Sequence, residues 1–361
     1  MQSVPFKRLS YALLLAAGVG LTATAGAQEY QAPEGELPET NITVVGGLSN
    51  LTAYRNVERP FWAESVPELT DGQVTVEIQG FNDMGLKGPE VLRLIGQGVV
   101  PFGSATMSYF ASDNPINEAI DLAGLAPTIE IAKEITDAFL PVYQDFYEDN
   151  NIKVLGFSTY PAQVLFCNAE VNELDDLKGK KVRTSSRTQA EFVEALGGSS
   201  VTIPFPEVVP ALQNKIVDCA ITGSMSGYSA KWYEVSTHLY ALPINWNQQI
   251  HAVNMDYWND LGPEVQEFLE NNLPLMYERI WEDAAAETFE GYACNTGGDD
   301  CDEEVKGKMK LVEPTEEDTE KLLKLTEEIV LPKWAARCSD QCVEDFNNTI
   351  GEVLNVTAVK E

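Results

Sequence analysis

The sequence predicts an α/β protein of two domains that face each other across a cleft, with a helical part at the C-terminal end. Three observations predict it. A chain of 361 residues with 44% apolar and 9% aromatic side chains can bury a substantial core, and single cores stop growing near roughly 250–300 residues, so the length asks for two cores or one large α/β unit. Short β-branched or apolar runs alternate with segments of helical spacing, the rhythm of a mainly parallel sheet, and that rhythm runs through twice. Beyond residue 255 the spacing turns helical.

In order, Lys7 and Arg8 precede an apolar stretch from Tyr11 to Leu21, and Ala25, Gly26 and Ala27 then give the small-residue pattern that signal peptidase accepts, so residues 1–27 are expected to be a cleaved secretory signal. The apolar stretch is shorter than the roughly 20 residues that span a bilayer, so the mature chain is expected to be a soluble exported protein. Residues 28–150 form the expected N-terminal α/β domain, with strands at 41–46, 74–79 and 99–105 and helices at 54–69, 88–96 and 129–147. Residues 151–255 form the second, with strands at 152–157, 162–166, 181–184, 200–203, 219–222 and 251–254 and helices at 189–196 and 208–214. Residues 256–361 are expected to pack across both domains as helices, from Pro263 towards Ala293 and from Glu316 to Ala336, interrupted by an acidic surface loop at 295–304.

Charge narrows the choice of partner. With 56 acidic against 24 basic residues the formal charge is −32, and loss of Lys7 and Arg8 takes the mature chain to −34, a field that argues against nucleic acid and anionic membranes as partners and suggests a salty milieu that screens self-repulsion. In an oxidising compartment six cysteines favour disulfides. Cys294 with Cys301 and Cys338 with Cys342 are close enough for local bridges, which leaves Cys167 and Cys219 either bridged or as buried free thiols. No zinc site is expected, since the only histidines are His238 and His251, and no cofactor is implied.

A cleft at the carboxyl ends of strands binds ligands, and the residues that would make it catalytic are missing. Gly223-Ser224-Met225-Ser226-Gly227 places its serines wrongly for a nucleophile elbow, and there is no H-E-x-x-H or glycine-rich phosphate loop. The acid pairs Asp175-Asp176 and Glu303-Glu304 read as solvated surface. Arg183, at a strand's carboxyl end, offers a planar fork for a carboxylate, or else a structural salt bridge.

One region carries a family pattern. Asp175-Asp176-Leu177-Lys178-Gly179-Lys180-Lys181-Val182-Arg183 is followed by Ala195-Leu196-Gly197-Gly198, Ile203-Pro204-Phe205-Pro206-Glu207-Val208, Ala211-Leu212-Gln213 and Val217-Asp218. In order and spacing this resembles the extracytoplasmic solute-binding proteins of TRAP transporters, the DctP family, whose hallmarks are D-L-K-G-x-K-x-R, an A-L-G turn, E-V-x-x-A-L-Q and V-D-G. The sequence departs from the last by placing Cys219 where the family has glycine. Weaker similarity covers 92–102, 263–267, 311–317 and 331–334.

The resemblance implies a periplasmic-binding-protein-like fold with a ligand cleft between the domains and long connecting helices. It implies a monomeric, non-enzymatic periplasmic solute receptor that takes up a small organic carboxylate and delivers it to the TRAP permease subunits. A receptor for an ABC importer or sensor, or a periplasmic enzyme acting on an organic acid, are the alternatives. By the same resemblance Arg183 clamps the ligand carboxylate, while Gln163 stands where several members carry a second arginine, which favours a monocarboxylate. Ser186, Phe205 and Thr222 fall at ligand-lining positions; Glu207 opens the next helix, as a ligand residue or as a charge at the helix start. Asn50 after the first strand and Ser104 on the third are expected to face the cleft. Among the aromatics at 232–246, Trp232, Tyr233 and Tyr240 read as packing, and Trp246, in a polar turn between two strand-like runs, as an exposed wall. Arg187 is expected to pair with Glu191, one helical turn on.

Overall fold

Eleven strands make two sheets among the described residues, 29–360 of a computed structural model; the expected signal segment lies outside them. In chain order they are β1 (Thr40–Gly46), β2 (Val74–Gly80), β3 (Phe102–Thr106), β4 (Ile152–Ser158), β5 (Gln163–Cys167), β6 (Lys181–Thr184), β7 (Ser199–Thr202), β8 (Cys219–Gly223), β9 (His238–Asn245), β10 (Gln249–Asn254) and β11 (Lys310–Val312). The first sheet runs β2-β1-β3-β10-β4 and the second β11-β9-β5-β8-β6-β7.

Two features differ from the expectation. The sheets are mixed: β10 is antiparallel to both β3 and β4, and β5 is antiparallel to both β8 and β9. Strands β5 and β8 are buried along their whole length, so they read as continuous apolar runs like those of a parallel sheet, and direction leaves no trace in such a pattern. The domain boundaries at 150 and 255 also differ from sheet membership, because β4 and β10 complete the first sheet. The chain therefore crosses between the sheets three times, from β4 to β5, back from β9 to β10 and again from β10 to β11, and Thr159 Oγ1 donates to the Trp246 carbonyl at 3.0 Å to tie the first two crossings together.

The helix expected at 54–69 is present from Ala53 to Leu69, through π-helical stretches at Ala53–Glu58 and Phe61–Ser65. The helix Pro263–Thr296 has 34 residues and so spans about 50 Å, enough to run along both sheets. Trp281 Nε1 on it donates to the Phe157 carbonyl of β4 at 3.0 Å, and further along Asn295 Nδ2 donates to the Ser224 carbonyl beyond β8 at 2.9 Å. Gly291 permits that second contact: a Cβ there would lie 2.4 Å from the Met225 nitrogen. After it, the helix Glu316–Leu325 starts on a capping box from Thr315 and Asp318, and Trp334 Nε1 reaches the Pro115 carbonyl at 2.8 Å. Arg337 then joins the two halves, bonding Glu118 Oε2 at 2.8 Å and Glu191 Oε1 at 2.5 Å.

All six cysteines are bridged, Cys167 to Cys219, Cys294 to Cys301 and Cys338 to Cys342. Cys167 and Cys219 face each other across the β5–β8 ladder, which gives the residue standing in place of the family glycine a structural role. Their sequence separation of 52 makes this the most constraining bridge, worth about 4 kcal/mol on the loop-entropy account. Thiol titration of denatured, unreduced protein is expected to find no free thiol, and replacing both Cys167 and Cys219 by alanine to lower unfolding free energy by about that amount. Two titratable thiols in the wild type, or an unchanged denaturant midpoint in the variant, would contradict the bridge.

Candidate ligand-binding site

The site is built around β6, an interior strand of the second sheet, whose last three residues are buried. Strand alternation and the charged turn before it deliver Arg183 inward, where it is 2% exposed. Its Nε donates to the Ile203 carbonyl at 2.9 Å and Nη1 to the Ile221 carbonyl at 2.6 Å, so the two neighbouring strand ends hold the fork. The guanidinium lies 5.9 Å above the Trp232 ring, and Trp232 stacks on Phe205 at 5.5 Å. Among the described residues no carboxylate pairs with it. Burial lowers its pKa to about 10, which leaves it protonated at neutral pH. A buried, ionised and unpaired cation is costly, and an anion brought from outside relieves that cost.

Two connected spaces open on Arg183. The inner one, about 310 Å³, takes Leu48, Leu51, Thr106 and Tyr109 from the first sheet's side and Gln163, Phe205 and Thr222 from the second. Tyr160 and Asn247, one from each crossing segment, complete it with Ser185 and Ser226. The outer one, about 1220 Å³ and open to solvent, carries two further cations, Lys87 and Arg187.

Of the expected site residues, Arg183, Gln163, Phe205 and Thr222 meet in the inner space. Gln163 Nε2 donates to the Pro161 carbonyl at 3.0 Å, which leaves its oxygen and its second N–H for a ligand. Ser186 borders the outer space, with its hydroxyl accepting from Gln189 N at 3.2 Å as the cap of helix Arg187–Ala195. Arg187 pairs with Glu191 at 3.5 Å, as expected, and borders the same space.

Four residues stand elsewhere. Glu207 is 56% exposed at its side chain and pairs with Lys87 at 3.3 Å across the cleft; it makes no capping bond and lines neither space. Trp246 is buried, its Nε1 donating to the Ala126 carbonyl at 2.9 Å, because the crossing turn points the ring into the core. Asn50 is exposed at the tip of the turn after β1, whose path is fixed by Ser49 N donating to Asn82 Oδ1 at 2.9 Å, while Leu48 and Leu51 on either side face inward. Ser104 lies two residues too deep on β3: it donates to Glu58 Oε1 at 2.5 Å, and Thr106 at the strand's end reaches the cavity instead. Reasoning from sequence missed Tyr109, Tyr160, Ser185 and Asn247; only Asn247, in the polar turn beside Trp246, carried a signal, and its left-handed φ of 61° suits asparagine.

A fold of two lobes with a partly enclosed cavity between them, lined from both and anchored by one buried cation, is that of a binding protein. The model of the DctP family, bacterial extracellular solute-binding protein family 7, matches residues 52–335, and the chain belongs to that family. Among curated relatives, the uncharacterized protein YiiZ of Salmonella typhimurium is 28% identical over 189 residues, 49% of this chain and 57% of that one, and the ectoine-binding periplasmic protein TeaA of Halomonas elongata is 22% identical over 213 residues, 58% and 62% respectively. The chain thus spans about three fifths of the length of these relatives. The solved structure of DctP7, a Bordetella pertussis extracytoplasmic solute receptor binding pyroglutamic acid, has the same fold, with a TM-score of 0.75 at 20% identity over 87% of this chain and 99% of that one. No helix among the described residues is long and apolar enough to cross a membrane.

Buried Glu58 and Asp121, the second raised to about 6 by burial, and half-buried Glu287 contribute a pH dependence. Glu58, bonded by Ser104 and by Gly47 N at 2.8 Å, has its pKa raised to about 7 by burial, and Glu287, accepting from Thr52 Oγ1 at 2.6 Å, is likewise raised to about 7 by burial. A carboxyl raised in the fold contributes stability that is complete below its unfolded pKa and lost as pH climbs through the folded one. His251, lowered to about 3 by burial, has the opposite sign below about pH 6.5. With these raised carboxyls against one lowered imidazole, the thermal midpoint of the ligand-free protein is expected to fall from pH 7 to pH 8.5, where the imidazole is neutral in both states, and Glu58→Gln to flatten part of that fall. A midpoint that rises over that interval would contradict the assignment.

Proposed function

We propose that the protein is a periplasmic solute receptor of a TRAP-type secondary transporter, which binds a small organic acid with a single carboxylate and delivers it to the membrane permease. The observation that carries this is Arg183: a charged fork buried at the junction of two lobes, with main-chain carbonyls on two of its nitrogens and no acid among the described residues against it. A ligand carboxylate supplies the missing partner through paired, charge-assisted hydrogen bonds. Because the cavity is lined from both lobes, the ligand stabilises the closed arrangement by touching both, and release follows reopening; no bond is made or broken.

The lining of the inner cavity, which is narrow, argues for the ligand class. Arg183 is its one cation among the described lining residues, and the rest are amides, hydroxyls and apolar side chains, so a second carboxylate would be desolvated without a partner. The neighbouring structures support a small acid: besides the pyroglutamic acid receptor, a Haemophilus influenzae protein holds L-gulonate and a Desulfovibrio salexigens protein holds orotic acid. A Shewanella oneidensis structure of the same fold holds succinate, which makes the diacid the comparison to run.

In a thermal-shift series, pyroglutamate and lactate are expected to raise the midpoint more than succinate or malate; a ligand at 100 times its dissociation constant adds about 2.7 kcal/mol. A larger shift with the diacids would overturn the single-carboxylate reading. Calorimetry should show binding abolished in Arg183→Ala and partly restored in Arg183→Lys, since an ammonium keeps the charge but not the paired geometry. Wild-type affinity in the alanine variant would remove Arg183 from the site.

A further inference from the structure

A relay of buried side chains runs from the core to the cavity wall beside Arg183. Asp121 is buried, and its Oδ1 accepts from the main-chain nitrogens of Trp246 and Asn247, both at 3.0 Å, while Oδ2 accepts from Asn245 Nδ2 at 2.7 Å. Asn245 Oδ1 in turn accepts from Gln189 Nε2 at 2.8 Å. Gln189 Oε1 then accepts twice from Ser185, from its nitrogen at 2.8 Å and from its hydroxyl at 3.1 Å. Neither amide can turn over. A carboxylate only accepts, and main-chain N–H groups, which only donate, fix both ends of the relay. Gln189 and Asn245 are almost wholly buried, so no water competes for these bonds.

The direction of the relay has a chemical consequence at its last member. Ser185 lines both the inner and the outer space, two residues after Arg183. Its hydroxyl proton is committed inward to Gln189, which leaves the oxygen's lone pairs as what it can offer a ligand. The wall beside the carboxylate clamp is therefore an acceptor.

We propose that Ser185 is a specificity-determining residue, held as an acceptor by the Asp121–Asn245–Gln189 relay, and that the receptor selects carboxylates bearing an N–H or O–H donor next to the carboxyl group, the 2-hydroxy acids and the cyclic amides, over analogues that carry only acceptors there. The proposal rests on the receptor reading above and names its ligand class more narrowly. A ligand with an acceptor at that position faces lone pair against lone pair and leaves Ser185 unpaired, a penalty that discriminates more strongly than a missing contact.

Two matched pairs test it by calorimetry: lactate against pyruvate, and pyroglutamate against its lactone analogue, in which the ring N–H is replaced by oxygen. The wild type is expected to bind the donor-bearing member of each pair roughly tenfold more tightly. Ser185→Ala should bring each pair to within about threefold, by weakening the donor-bearing member. Gln189→Met frees the Ser185 hydroxyl to donate outward and should strengthen pyruvate while weakening lactate, whereas a merely structural part for Gln189 would weaken both alike. Equal binding within each pair in the wild type, or an undiminished preference in Ser185→Ala, would overturn the proposal. If all four acids bind in a manner that Arg183→Ala abolishes yet without preference, this inference alone fails; if none binds, the receptor reading fails and this inference with it.

Discussion

A guanidinium taken out of water must be answered by something, and the chain answers that of Arg183 only in part. Two carbonyl oxygens, from Ile203 and Ile221, compensate some of the lost hydration, and the Trp232 face adds a weak attraction for the cation. Neither carries a full negative charge. The chain has 56 acidic residues and could have placed one here, yet Glu207 pairs with Lys87, and Glu118 and Glu191 are engaged by Arg337. The result is one unanswered cation inside a strongly anionic protein. Long-range attraction cannot bring an anion to it, so on the proposed reading recognition is local and depends on the fork and its surroundings.

Those surroundings belong to the segments that join the lobes. Tyr160 lies on the crossing from β4 to β5 and Asn247 on the crossing back from β9 to β10, and both border the inner cavity. The first is tied by its hydroxyl, which donates to Gln249 Oε1 at 2.5 Å, and the second by Asp121. On the proposed receptor reading, a ligand that touches them touches both joining segments, which would couple occupancy to the angle between the lobes. The long helix Pro263–Thr296 joins the two sheets, fastened to β4 at its middle through Trp281 and beyond β8 near its end through Asn295.

Much of this was legible in the sequence, for reasons that differ by element. The strands at 41–46, 74–79 and 181–184 and the helices at 129–147 and from 263 onward stood out because their apolar spacing matches one period and their ends carry turn residues. Arg183 stood out through the family pattern, since its position at a strand end by itself also suits a structural salt bridge or a surface charge. Sheet order was not legible, since a strand buried on both faces looks the same in either direction, and so β4 and β10 fell to the wrong lobe. Ser104, Asn50 and Trp246 missed the cavity by one or two positions each: depth along β3, the turn set by Asn82, and the crossing turn set by Asp121 are tertiary facts with no local pattern. Tyr109 and Tyr160 carry no local signal that separates a cavity tyrosine from a core one.

The central claim is that the cavity's anion partner is Arg183, and a crystal structure of the protein soaked or co-crystallised with pyroglutamate or lactate tests it most directly. The account predicts a carboxylate in the inner cavity with an oxygen within about 3 Å of a terminal guanidinium nitrogen of Arg183, and the second polar group against Ser185 or Gln163. A carboxylate seated instead between Lys87 and Arg187 in the outer space, with Arg183 bonded only to Ile203 and Ile221, would contradict it.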